Sequence, residues 1–368
     1  MAAVLRALAR VDLGAIKRNA ARMSAAAPRA RLCAVVKADA YGHGMVPAAH
    51  AALRGGAEWL AVATADEAAA LRAAGVEARV LVMGALSDEE LPVALGAGAD
   101  VVAWREQAVE RVARLGGGRV HVKLDTGMGR LGTRDADEAT RVAAAAAAAQ
   151  GVELAGLMTH FATADERGDA FFGEQLKRFS AWAGPLRAEH PDALVHAANS
   201  AATLRDPGSH FEMVRAGIAL YGMDPFGSDP AQQELEPAME LVSYVAEVKP
   251  IAAGESAGYG RRFLASEQTT IATVPIGYGD GWRRGLSGNA ETLVAGRRAP
   301  LVGTVSMDNL TLDVGGSGAA VGDEVVLLGR RGGERVLAEE VARRLGTISY
   351  EITCGIGARV PREHVGGT

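Results

Sequence analysis

The chain has 368 residues, 49% apolar and 23% charged, with a formal net charge of −5. That length exceeds one ordinary domain and supplies a sizeable core. The acidic balance argues against a nucleic-acid partner, and no apolar run approaches the roughly 18–20 residues of a membrane span.

The opening residues lack the sustained apolar core of a signal peptide. Cys33 and Cys354 lie far apart in apolar runs and read as reduced structural thiols, so the cytoplasm is the expected compartment. The first two thirds then alternate two textures. Leu32-Cys33-Ala34-Val35-Val36 is too short and too β-branched for a helix and opens a strand over 32–37. Further strands are predicted over 58–63, 78–84, 100–104, 119–125, 153–160, 194–199 and 213–221. Helical stretches over 66–74, 106–115, 135–149 and 169–189 lie between them. Such alternation predicts a parallel (β/α)8 barrel. The alternative, a doubly wound sheet, lacks its Gly-rich dinucleotide turn after the first strand.

After Gly222 the texture changes. Residues 224–230, rich in Asp, Pro and Gly, read as a linker. Short β-rich runs follow over 241–248, 269–275, 291–295, 301–305, 310–314 and 324–328, with one helix over 338–345. The expected fold is α/β: a TIM-like barrel over 1–230 and a second, mainly β domain over 231–368. The first ten or so residues are free to pack with the latter.

Barrel enzymes place their chemistry at the C-terminal ends of the strands. The polar residues at those ends are Lys37, Asp125 with Arg130 just after it, His160, Asn199 and Ser200, and Arg215 within the eighth strand, followed by Gly217 and Ile218. Taken alone, Lys37 reads as a lysine capping a strand. Half wrapped in apolar neighbours, its amine loses solvation and its pKa falls, as imine formation with an aldehyde requires. Ser200, Gly217 and Ile218 follow the seventh and eighth strands, where such barrels often bind phosphate. A lysine and a phosphate cradle around one mouth point to a phosphorylated aldehyde, pyridoxal phosphate.

Longer stretches carry a resemblance. They are 34–44 (AVVKADAYGHG), 121–132 (HVKLDTGMGRLG), 159–162 (THFA), 198–201 (ANSA), 214–218 (VRAGI), Tyr259-Gly260, 275–282 (PIGYGDGW), Met307-Asp308, Ser349-Tyr350-Glu351 and Arg359-Val360-Pro361. In this order, spanning nearly the whole chain, they resemble the alanine racemase family. The resemblance implies interconversion of L- and D-alanine by two bases, Lys37 and Tyr259, with Lys37 also carrying the cofactor as an imine. It places His160 beside the tyrosine and Arg215 behind it, at the pyridine nitrogen. It assigns Tyr41, Asn199, Ser200, Gly217, Ile218 and Tyr350 to the cofactor. Arg130 and the Met307 backbone fall to the substrate carboxylate, and Lys123 matches a position carbamylated in some members. It also implies a head-to-tail homodimer with shared sites, no metal, and D-alanine destined for peptidoglycan.

Ser306 stands where many relatives have cysteine, and Gly258 and Phe263 also depart from the family pattern. Three readings stay open besides the strict alanine enzyme: an alanine/serine racemase, a barrel-type decarboxylase, and a non-catalytic cofactor-binding protein.

Overall fold

The computed structural model describes residues 6–367; residues 1–5, part of the segment read as free of a signal peptide, lie outside it. Strand β1 (Leu8–Asp12) precedes the barrel, and its last residue starts the first helix. The Asp12 side chain accepts from the Ala15 amide at 3.1 Å, an N-cap for Leu13–Ala26.

The next eight strands close the barrel: β2 (Arg31–Val35), β3 (Ala57–Val62), β4 (Arg79–Val82), β5 (Asp100–Ala103), β6 (Gly118–Lys123), β7 (Val152–Met158), β8 (Leu194–His196) and β9 (Met213–Ala216). Every pairing is parallel, and β9 returns to β2 with Arg215 opposite Cys33. The α/β class and the eight-strand barrel are therefore as expected.

The strand ends are shorter than the sequence suggested. β8 stops at His196 because Asn199 turns to cap the helix Ser200–Arg205, accepting from the Ala202 amide. β9 stops at Ala216 because the chain tightens at once into a 3-10 turn over Ile218–Tyr221, with the Leu220 amide bonded to the Gly217 carbonyl.

The second domain is built on one mainly antiparallel sheet. Its order is Glu247–Ile251, Thr269–Val274, Leu310–Asp313, Arg297–Val302, Glu291–Val294, Glu324–Arg331, Met239–Tyr244, β1 and Arg362–Val365. The chain thus contributes its first described strand to the sheet built from its last third, with Leu8 opposite Val242.

Three readings need correction here. The run over 241–248 is two strands, because Val245 bonds to Asp323 and Ala246 to Thr273, so the chain changes neighbours between them. The stretch 224–230 is an ordered turn: the buried Asp224 carboxylate accepts from the Phe226 and Ser228 amides, and Glu339 accepts from the Asp224 amide. Ser349–Cys354 forms a helix too short for its periodicity to show. Cys33 is buried, but Cys354 is exposed at the end of that helix. None of the described helices is long and apolar enough to cross a membrane.

Candidate active site

Lys37 follows β2 at the C-terminal mouth of the barrel. Burial lowers its pKa first, the charge of Arg130 lowers it further, and Glu67 only partly opposes them. The next four residues, Ala38, Asp39, Ala40 and Tyr41, all lie in the left-handed region with φ between 52° and 56°. None is glycine, and each costs about 1–2 kcal/mol there. The surroundings impose the turn. Ala40 bonds to the Val36 carbonyl, and the buried His43 ring donates from Nδ1 to the carbonyls of Ala40 and Tyr41 at 2.9 and 3.1 Å. Burial holds His43 near a pKa of about 4, so the imidazole is neutral. From the second domain, Arg362 donates to the Gly42 carbonyl and His364 to the His43 carbonyl. The motif after Lys37 is thus a strained handle that aims the lysine and Tyr41 into the mouth.

On β9, the strand paired with β2, Arg215 is buried. Nη1 donates to His196 Nδ1 at 2.8 Å, and Nη2 to the Thr159 and Ala197 carbonyls at 2.7 and 2.9 Å and to His160 Nδ1 at 3.3 Å. All four bonds leave from Nη1 and Nη2, so among the described residues Nε–H has no acceptor and is open to a ligand. Burial pulls the guanidinium down only to about 10, and it stays charged at neutral pH. Burial and then Arg215 drive His160 well below the usual imidazole range. Neutral, and accepting at Nδ1, His160 carries its proton on Nε2.

Lys123 ends β6, buried among Arg215, Arg130 and Lys37. Burial first, then those charges, bring its pKa down to about 8. Arg130 sits on the loop leaving β6. That loop is closed where Asp125 N meets the Thr133 carbonyl at 2.7 Å. Asp125 itself is a scaffold rather than a reagent: its carboxylate accepts from the Gly127 and Gly129 amides and from Arg134.

The phosphate-type positions converge. Ser200 Oγ accepts from the Gly217 amide at 2.9 Å, fixing the turn after β9 to the turn after β8. A side chain at Gly217 would collide with the Tyr41 hydroxyl, its Cβ falling 2.4 Å away. The hydroxyl and the Gly217-Ile218 backbone therefore line one small cradle. Tyr350 stacks near Tyr41, ring centroids 5.8 Å apart, and burial raises both phenols, so each keeps its proton as a donor. Tyr350 gets there because its helix packs on the Lys37 turn, where a Cβ on Gly42 would fall 2.3 Å from the Thr353 carbonyl. Asn199 lies beside Ser200, with its side-chain oxygen occupied as a helix cap.

Tyr259 and Met307 are not drawn into this cluster. They sit on neighbouring turns of the second domain, joined where Thr304 donates to the Tyr259 carbonyl, and they are 73% and 53% exposed. Among the described residues no hydrogen bond ties either turn to the barrel strand ends. Leu264, Tyr278 and Ile348 are also exposed.

A neutralisable lysine, an arginine charged at neutral pH with an open Nε–H, a cradle of hydroxyl and backbone groups at Tyr41 and Gly217-Ile218, and a neutral histidine can hold pyridoxal phosphate. Comparison with known proteins says which family uses this arrangement. Residues 11–225 match the alanine racemase N-terminal domain family and residues 238–364 its C-terminal domain family. The chain belongs to the alanine racemase family. It is 43% identical to the alanine racemase of Symbiobacterium thermophilum over 98% of this chain and 97% of that one. It is 44% identical to that of Frankia casuarinae over 98% and 97%. The solved alanine racemase of Streptomyces lavendulae superposes with a TM-score of 0.94 at 39% identity, covering 99% of this chain and 98% of the other. The chain is accordingly an amino-acid racemase, an isomerase, and the decarboxylase and carrier readings fall.

Two residues that support the site do not stand out in the sequence. Glu67 accepts from the Ala38 amide at 2.6 Å and from the Ala63 and Thr64 amides, tying the strained turn to the end of β3. Its signal was the capping box Thr64–Glu67. Tyr221 donates to the Val35 carbonyl at 2.8 Å, stacks on His43 and packs at a tilt against Tyr41, a role no local pattern announces.

Proposed function

We propose that the enzyme interconverts L- and D-alanine on pyridoxal phosphate, moving the Cα proton between Lys37 on one face and the partner's Tyr259 on the other. The cofactor, when bound, supplies the electron sink that lets Cα release its proton. The observation that carries this reading is the poised Lys37 amine at the end of β2 beside the neighbouring strand of Arg215, whose Nε–H is open to a ligand. Tyr41, Ser200, Gly217, Ile218 and Tyr350 suit the phosphate, with Asn199 placing Ser200. Lys37 alone serves only one face, and Tyr259 of the same chain stands exposed on the second domain, outside the barrel cluster. The exposed Tyr259 turn, with Met307 beside it, suits a face that closes a second subunit's barrel. The neutral His160 would donate from Nε2 to that phenol oxygen and favour its ionised, basic form. Arg130 and the Met307 amide would fix the substrate carboxylate and so hold Cα between the bases. The barrel and the second domain divide near residue 230. D-alanine for peptidoglycan, made in the cytoplasm, is the use this activity suggests.

L-alanine incubated in deuterated water should lose optical rotation while every turned-over molecule gains an α-deuteron. Racemisation without deuteration would sink the two-base reading. Serine offered alongside measures how strictly the pocket excludes a hydroxyl, a group that apolar pockets reject only by about a hundredfold.

Lys123 suits carbamylation: its neutral amine adds to carbon dioxide and releases a proton, turning a cation among cations into an anion that can orient Arg130. With a pKa of about 8, the neutral fraction falls about tenfold for each pH unit below that value. Protein equilibrated with 13C-bicarbonate should show a carbamate carbon signal that fades on acidification and is missing in Lys123→Arg. Lys123→Ala should lose about ten- to a hundredfold in kcat/KM as Arg130 loses its orientation. A wild-type spectrum without the signal would overturn the assignment.

A further inference from the structure

Barrel interiors are ordinarily packed with branched apolar side chains. This one holds a file of polar groups, all at most 2% exposed: Asp100 on β5, His121 on β6, His196 on β8 and Arg215 on β9. His121 Nε2 lies 3.0 Å from Asp100 Oδ2, His121 Nδ1 lies 2.8 Å from His196 Nε2, and His196 Nδ1 lies 2.8 Å from Arg215 Nη1. Direction follows from chemistry. A guanidinium can only donate, so His196 accepts at Nδ1 and carries its proton on Nε2. His121 then accepts at Nδ1 and donates from Nε2 to the carboxylate. Every bond points the same way, from Arg215 to Asp100.

Asp100 is the first residue of its strand, at the end of the barrel away from Lys37, where it also receives Arg79 and Arg119 at 2.6 Å each. Burial pushes its carboxyl up, but His121, Arg119 and Arg79 together hold it below the usual range. The fold makes room for the file. A Cβ on Gly156 would fall 2.3 Å from His121 Nδ1, and Trp59 packs edge-on to the His121 ring at 5.8 Å.

We propose that Asp100 is a positioning residue for racemisation, acting on Arg215 through two imidazoles locked in the same tautomer. The carboxylate fixes the His121 tautomer, His121 fixes that of His196, and His196 can then only accept from Arg215. The file holds the guanidinium in one pose and supplies it with a remote counter-charge, which keeps its proton on the arginine rather than on the ring nitrogen it meets. The effect on chemistry rests on the proposed cofactor reading; the tautomer order does not.

Two experiments separate them. In 15N-histidine-labelled enzyme, His121 and His196 should both appear as neutral Nε2–H tautomers; an Nδ1–H tautomer or an imidazolium at either overturns the proposal whatever the cofactor. Asp100→Asn keeps an acceptor for His121 and removes the charge. In the purified holoenzyme it should lower kcat about tenfold, leave KM for alanine within about twofold, and raise keto-acid release per racemisation about tenfold, the size expected of one remote charge at an effective dielectric of about 20. A variant that is merely less stable, with unchanged partition between racemisation and keto-acid release, would show Asp100 to be structural only. If the tautomers are as assigned but the holoenzyme shows no cofactor absorption or racemisation, the cofactor reading fails instead.

Discussion

Lys37→Ala and Tyr259→Phe should each racemise alanine at no more than about a thousandth of the wild-type rate, since each removes one of the two proposed acid–base groups. Mixed and allowed to exchange subunits, the two inactive proteins should recover about a quarter of wild-type activity. The arithmetic follows from a shared site. Half of the dimers become mixed, and in each mixed dimer one barrel has Lys37 and receives Tyr259 from the Lys37→Ala chain. The other site in that dimer lacks both groups. The structure motivates the experiment by the contrast between Tyr350, which reaches Tyr41 within one chain, and Tyr259, which stands 73% exposed on the second domain. Mass spectrometry on differently labelled chains can show that exchange has occurred. Exchange without recovery would mean that both bases come from a single chain, and full activity in diluted monomers would mean the same.

The barrel was legible because eight strands and their helices keep a regular alternation, and because parallel strands buried on both faces read as plain apolar runs. What the sequence hid was set by contacts distant in the chain. The break in the run over 241–248 comes from Asp323 and Thr273 drawing adjacent residues to different neighbours. The left-handed turn over Ala38–Tyr41 contradicts every local preference of Ala, Asp and Tyr and survives because His43, Glu67, Arg362 and His364 pin it. The motif advertised that turn as chemistry without explaining its shape. Lys37, Arg130, Arg215 and Ser200 stood out because strand ends in a barrel face the mouth. His121, His196 and Asp100 did not, because a histidine inside an apolar strand reads locally as a packed core residue.

Arg215→Glu should slow racemisation by about a hundred- to a thousandfold, the usual cost of removing a preorganised charged donor, while increasing keto-acid release relative to racemisation. In the proposed complex the guanidinium would donate a hydrogen bond and keep its proton, so a cofactor ring nitrogen there would stay largely unprotonated and the electron sink shallow. A carboxyl at this position would share or surrender its proton and deepen the sink, giving the carbanion time to be reprotonated elsewhere than Cα. The substitution also faces an environment built for a cation, with the Thr159 and Ala197 carbonyls and His196 Nδ1 all presenting lone pairs. A loss of about 3–5 kcal/mol of stability is expected for that reason. Arg215→Lys separates the two effects. It keeps the charge and loses the fork, so its rate should fall without a rise in keto-acid release. Unchanged partition in a folded Arg215→Glu holoenzyme would remove the arginine from control of the sink. The same logic ties Asp100 to this residue: if the file of imidazoles works only through the guanidinium, adding Asp100→Asn to Arg215→Glu should change the partition no further.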